Sequence, residues 1–165
     1  MPSPQSAGCS ANAISFSIVD TVDGLARLEA DWTDLFERAG QPQQVFQTFA
    51  FARLWARFYL DDHTRLAIVT ARAADGHLVM VWPVVLETAC GVSVLCFLGA
   101  PVAQYGDLLI EKRPDRLEIM HAAFDHVRQA LRPDCLRLRK VRADAVIRPL
   151  VAKLGSIESA HEEAP

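Results

Sequence analysis

Leu66–Leu86 reads LAIVTARAADGHLVMVWPVVL, two apolar arms that meet at Asp75-Gly76. Glycine accepts positive φ and aspartate bonds to nearby backbone, so this pair suits a tight reversal and predicts an antiparallel hairpin. The second arm is apolar at both parities. Leu78, Met80, Trp82 and Val84 fall on one side and Val79, Val81 and Val85 on the other, a pattern expected of a strand covered on both faces. Pro83 offers no ladder N–H, which leaves three readings open: a bulge, a sheet edge, or a place where two strands splay apart. The hairpin is scaffold, and it carries no chemistry by itself.

Outward from the hairpin the chain alternates helical and extended patterns. A leading strand is expected over Ile14–Val19. A helix follows from Asp23 to Ala39, with Leu25, Leu28, Trp32, Leu35 and Phe36 as its apolar stripe, ended by Gly40 and Pro42. Thr48 can cap a second helix, whose Phe51, Leu54, Trp55 and Phe58 are spaced to cover one face of a sheet. Beyond the hairpin, Val92–Leu98 is a further strand, Gly99-Ala100-Pro101 turns the chain, and Leu108–Ile110 is a short strand. Pro114 can open a third helix at its first turn. Leu117, Met120, Phe124, Val127 and Leu131 then recur at helical spacing until Pro133. Leu136 and Leu138 alternate with Arg137 and Arg139 as a half-buried strand. A last helix runs over Asp144–Leu154 and ends at Gly155. The order β-α-α-β-β-β-β-α-β-α describes one mixed α/β domain over 14–155, between a flexible amino terminus (1–13) and a flexible tail (156–165). No internal repeat of solenoid length is present.

Composition narrows the function classes. The 165 residues suit one hydrophobic core, with 51% apolar and 22% charged residues. A formal charge of −3 gives no surplus for a nucleic-acid or lipid partner. The basic run Arg137, Arg139, Lys140 and Arg142 reads as a solvated strand face, with a polyanion site as the alternative. Cys9, Cys90, Cys96 and Cys135 lack metal-ligand spacing and favour a reducing compartment. No signal peptide is visible, and no run approaches the roughly 20 apolar residues of a membrane span. Cytoplasm is the expected location.

Nucleotide-binding glycine loops, a serine-hydrolase elbow and a zinc-protease HExxH are all absent from the sequence. His121 and His126 stand five apart on the third helix, off a common ligand face, so no metal is expected. Three polar groups remain. Asp61-Asp62 beside His63 could orient an imidazole for proton transfer, or simply end a helix. Gln104, Tyr105 and Asp107, at the entry to a buried strand, could read, stack on or deprotonate a ligand, or form only a turn around Gly106. Gln47 and Arg53 border the second helix and could present polar heads to a cleft. Trp32, Trp55 and Trp82 read as core, with an aromatic ligand platform as the alternative.

The ordered set Val45-Phe-Gln-Thr-Phe-Ala-Phe-Ala-Arg-Leu-Trp55, Leu66-Ala-Ile-Val69, Asp75 to Pro83, Phe97-Leu-Gly99 and Gln104-Tyr-Gly-Asp-Leu-Leu109 resembles the amino-terminal half of bacterial BioF2-like, or cellulose-biosynthesis, acetyltransferases. These are GNAT-like proteins, similar in layout to peptidoglycan aminoacyltransferases with paired GNAT-like domains. The resemblance spans Ile14 to Leu154. It matches the family at Gln47-Thr48, Pro83, Tyr105 and Asp107, and departs from it at Phe51, where tryptophan is usual. It implies a mixed, largely antiparallel sheet with helices on both faces.

The same resemblance implies acyl transfer from acetyl-CoA or another acyl-CoA to an amine or hydroxyl of a small-molecule or saccharide acceptor. Asp107 or His63 would be the base and Tyr105 the proton donor, with Gln47, Arg53 and Gln104 toward substrate. Family members continue into a second GNAT-like domain, where the better donor signature is expected. A complete acyl-CoA site has a basic or glutamine-led glycine loop feeding a helix amino terminus. Here Gln104-Tyr-Gly-Asp107 has the wrong charge, and Lys112-Arg113 before Pro114 does not restore the loop. The expectation is therefore a partial acyltransferase, completed by a carboxy-terminal GNAT-like half or by a homodimer. The alternative is a non-enzymatic binding or assembly domain.

Overall fold

The reversal at Asp75-Gly76 forms, with Gly76 at φ +89° and the Asp75 carboxylate accepting from the His77 backbone N–H at 3.2 Å. The computed structural model describes residues 13–154. The expectations for Cys9, Gly155, the polar tail and all but Ala13 of the flexible amino terminus lie outside the described residues.

The first part of the chain forms β1 (Ser15–Val19), α1 (Val22–Arg27), α2 (Glu29–Ala39), a 3-10 turn (Val45–Gln47) and α3 (Phe49–Tyr59). The strands that follow are β2 (Thr64–Leu66), β3 (Ile68–Arg72), β4 (Leu78–Trp82), β5 (Val84–Ala89), β6 (Val92–Phe97) and β7 (Leu109–Ile110). Helix α4 (Arg116–Leu131), strand β8 (Cys135–Arg137) and helix α5 (Arg148–Lys153) complete the described chain.

The hairpin is longer than its turn alone requires. β2 and β3 run on through Ala67, and β4 and β5 through Pro83, in one register that pairs Leu66 with Val85 and Val69 with Trp82. This sets Pro83 opposite Ile68. On the other side of the long second arm, β6 pairs with β5 as far as Val84–Phe97, whereas β7 pairs with β4 at Met80 and Val81. Between β6 and β7 the chain leaves the sheet. The departure starts beside Pro83, whose carbonyl accepts from Leu98 N at 2.9 Å while its ring nitrogen offers no donor. Pro83 thus stands within a continuous paired arm, on the side where its neighbour is interrupted between β6 and β7. Two four-stranded sheets result, β1-β3-β4-β7 and β2-β5-β6-β8, antiparallel except for the parallel pair β6–β8.

Both faces of the sheets are covered. α4 and α5 pack over Trp82, Val84 and Leu95 with Ile119, Met120, Val127 and Leu150. α1, α2 and α3 pack over Ile68, Val81 and Val85 with Leu25, Trp32, Leu35 and Trp55. A mixed, largely antiparallel architecture with helices on both faces is what the sequence predicted.

Four local expectations are corrected. The first helix is two, because Leu28 N bonds to Leu25 O (3.0 Å), a tight i→i−3 step that separates α1 from α2. Leu78 does not share a side with Met80: Val79 is an extra residue in the β3–β4 ladder and moves Leu78 into the core beneath α1–α3. Pro114 precedes the N-cap Asp115 instead of opening the first turn of α4. On α3, Phe49, Ala52, Trp55 and Ala56 are the buried residues, while Leu54 and Phe58 are 57% and 66% exposed. Trp55 sets that rotation by donating from Nε1 to the Ala100 carbonyl at 2.8 Å, and two alanines let the helix approach closely. Thr48 caps α3 as expected, accepting from Phe51 N at 3.3 Å.

Candidate functional site

The polar segment before β7 folds inward. Asp107 is 6% exposed, and its carboxylate accepts from Gln44 Nε2 (2.9 Å), Leu108 N (2.9 Å), Val146 N (2.9 Å) and Ile147 N (3.0 Å). Two donors reach each oxygen, which fills the acceptor capacity of a carboxylate. Burial pushes the Asp107 pKa up, while the Val146, Leu108, Ile147 and Gln44 bonds pull the other way. The residue ties the 3-10 turn region, the entry to β7 and the approach to α5 into one knot.

Gln47 is buried as well. Its Nε2 donates to the Tyr105 carbonyl at 3.2 Å, and its own carbonyl accepts from Trp32 Nε1 at 2.9 Å. The Tyr105 ring meets Phe46 edge-on at 6.4 Å and lies beneath the Arg142 guanidinium at 4.8 Å. Gln44, Gln47, Tyr105, Asp107 and Arg142 thus border one crevice of about 10 Å³, room for a single water. Gln104 is exposed beside it.

The other predicted residues lie elsewhere. His63 borders an open groove of about 480 Å³ with Asp61, Asp62, Thr64, Arg65, Leu86 and Thr88. Its backbone N–H donates to Asp61 Oδ1 at 2.9 Å, which holds the Asp61 carboxyl below the usual range. Arg53 reaches Glu29 at 3.5 Å and lies over the Phe49 ring at 5.8 Å. The structure therefore brings Gln47, Tyr105 and Asp107 together and leaves His63 and Arg53 apart from them. Sequence reading missed Gln44 and the 146–147 amides. The run Gln41-Pro-Gln-Gln44 between two apolar helices was the available signal for the first; backbone amides carry none.

The excursion between β6 and β7 is bound on both sides. Leu98 bonds to Pro83, while Gly106 N donates to the Lys140 carbonyl at 3.2 Å and Lys140 Nζ donates to the Ala103 carbonyl at 2.8 Å. Residues 98–108 are thus tied to Pro83 at one end and to Lys140 toward the other. The basic run is largely engaged: Arg137 with Glu87 at 2.5 Å, Lys140 with Ala103, and Arg142 with Asp144 at 2.8 Å.

Acyl-CoA, the group the resemblance implies, is tested at the start of α4. Residues 111–115 are Glu-Lys-Arg-Pro-Asp, with no glycine to let backbone approach a diphosphate. Arg113 is held by Asp115 at 2.5 and 2.9 Å and lies 3.9 Å from Glu111. Glu111 in turn takes Arg38 and stands 3.4 Å from His77 Nε2. Pro114 lacks an N–H, and Glu118 adds negative charge in the first turn. Carboxylates already occupy the positive end of the helix, so a diphosphate does not fit there. Among the described residues no group of three His, Cys, Asp or Glu side chains is placed to hold a metal ion, and no helix is long and apolar enough to cross a membrane.

No protein-family model and no curated protein matches the sequence. Solved structures do match the fold. The ribosomal-protein-alanine N-acetyltransferase from Brucella melitensis biovar Abortus 2308 superposes with a TM-score of 0.54 at 13% identity, over 93% of this chain and 98% of that one. The chain has the GNAT fold. A GCN5-related N-acetyltransferase from Ralstonia eutropha JMP134 aligns over 93% of this chain and 98% of its own at 12% identity, with a TM-score of 0.43. At 13% identity the likeness to the Brucella structure speaks for the GNAT fold alone.

Proposed function

We propose that this GNAT-fold chain is a binding or assembly domain with no acyl transfer of its own. The observation that carries this reading is the start of α4, where Glu111, Asp115 and Glu118 stand in place of a glycine loop. The knot around Asp107 supports it, since a buried carboxylate already held by Gln44 and three backbone amides presents no free edge to a substrate. Descent from a BioF2-like, cellulose-biosynthesis acetyltransferase, a single domain over 14–155 and a cytoplasmic location belong to the same reading. Calorimetric titration of the purified chain with acetyl-CoA tests it. No saturable heat is expected; saturable binding at micromolar concentration overturns it.

A second reading keeps the chain inside a transferase whose donor site another GNAT-like domain or a second copy supplies. The open groove beside His63 favours it, because His63 and Asp61 face solvent there. Gln47, Arg53, Gln104 and Tyr105 would then serve the acceptor. Acyl transfer that appears only on adding a carboxy-terminal GNAT-like half, and falls on His63→Ala, is the result that selects it.

A further inference from the structure

The rotation of α3 leaves an outer face made of Ala50, Arg53, Leu54, Arg57 and Phe58, all exposed. The spacing i, i+3, i+4, i+7, i+8 makes these residues one continuous strip along the helix. Two large apolar side chains and two arginines share it, and the helix contains no carboxylate. Arg57 lies over its neighbour Phe58 at 5.6 Å and has no carboxylate partner among the described residues. Besides its place over the Phe49 ring, Arg53 has one carboxylate partner among the described residues, Glu29 at 3.5 Å, with both side chains more than half exposed, a geometry that contributes little. The inner face is fixed by Trp55, which bonds to Ala100 and stacks on Tyr59 at 5.8 Å. The strip is therefore presented by a rigid element.

We infer that this outer face of α3 docks an acidic amphipathic helix of a partner protein, which buries Leu54 and Phe58 and pairs its carboxylates with Arg53 and Arg57. Apolar anchors at i and i+4 suit a partner helix, and the rim charge chooses an acidic one. A second copy of α3 fits poorly, since the seam would collect arginines from both copies with no carboxylate on either helix. The inference rests on the reading of the chain as a binding domain.

The test uses the full chain and a labelled synthetic helical peptide of about 15 residues, leucines on one face and glutamates flanking them, with a twin that carries lysine for glutamate. Fluorescence anisotropy is expected to show binding of the glutamate peptide, weakened by salt, and weakened about tenfold or more in Leu54→Glu/Phe58→Glu. Arg57→Glu is expected to reduce binding of the glutamate peptide and raise that of the lysine twin. All three substituted sites are exposed, and far-UV circular dichroism is the check that the variants fold. Absence of glutamate-peptide binding, or equal binding of the twins, overturns the proposal. So does a self-association in sedimentation, or a binding to phosphatidylserine vesicles, that Phe58→Glu abolishes while peptide binding persists. Acetyl-CoA titration of the same samples keeps the two readings separate: acetyl-CoA binding beside intact peptide binding refutes the absence of transferase function and leaves the docking surface standing.

Discussion

Asp107 accepts donors from Gln44, 63 residues away, and from Val146 and Ile147, 39 and 40 residues away, so its replacement separates charge from hydrogen bonding. Asp107→Ala strands four donors and is expected to cost about 3 kcal/mol in urea unfolding, and Asp107→Asn is also expected to destabilise, because its amide NH2 turns a donor toward two of them. The pH dependence has a definite sign. Burial raises the folded pKa above the ordinary 3.8, so between these values the folded state holds a proton that the unfolded state has released. The contribution to stability is complete below 3.8 and lost as pH rises through the folded value. Asp107→Asn should make the slope of unfolding free energy against pH less negative in that window; an unchanged slope rejects the assignment. Sequence made Asp107 visible as a polar residue at the mouth of a buried strand. Its partners were not visible, because three are backbone amides and all but Leu108 are distant in the chain. Gly106 shows the same limit: it reads as a flexible turn residue, yet a Cβ there would run into the Phe97 ring. Gly106→Ala is expected to lose about 1–3 kcal/mol of stability by overpacking, measured by the same unfolding experiment.

At the level of elements, helix α4 was legible and the rotation of α3 was not. In α4 the apolar residues keep to one side, and Met120 and Val127 are buried as their spacing requires, with Leu117, Phe124 and Leu131 packed at the margin. In α3 the large apolar residues Phe49, Phe51, Leu54, Trp55, Phe58 and Tyr59 spread over more than half of the circumference, so periodicity sets the buried face only loosely. The choice falls to Ala52 and Ala56, which allow close approach, and to the Trp55 hydrogen bond. Truncation can verify the rotation. Trp55→Ala is expected to destabilise by about 3–5 kcal/mol, whereas Phe58→Ser should stay within about 0.5 kcal/mol. Equal losses at the two positions would refute the rotation. Thr48→Ala should remove about 1 kcal/mol through the lost cap, read as a lower urea midpoint at constant m-value.

Across the whole molecule, the long strands on either side of Ala67 and Pro83 belong to both cores, so neither core can dissolve while the other keeps its sheet. Tryptophan fluorescence, with Trp32 in one core and Trp82 in the other, and far-UV circular dichroism should therefore report one coincident urea transition. Separate midpoints would show that the two layers unfold independently. The alternating order of elements made this layered architecture readable in advance, and Pro83 marked where the sheet divides. The course of residues 98–108 was unreadable, since it depends on Lys140 and Pro83 from opposite sides. That stretch also fills hydrogen-bonding groups of Pro83 and Lys140 from within the chain. Tethered at both ends, it has an effective concentration on the order of millimolar or higher. A free molecule that would take over the contacts with Pro83 and Lys140 must compete with a resident that cannot diffuse away, so engineering a ligand site there begins with shortening the tether.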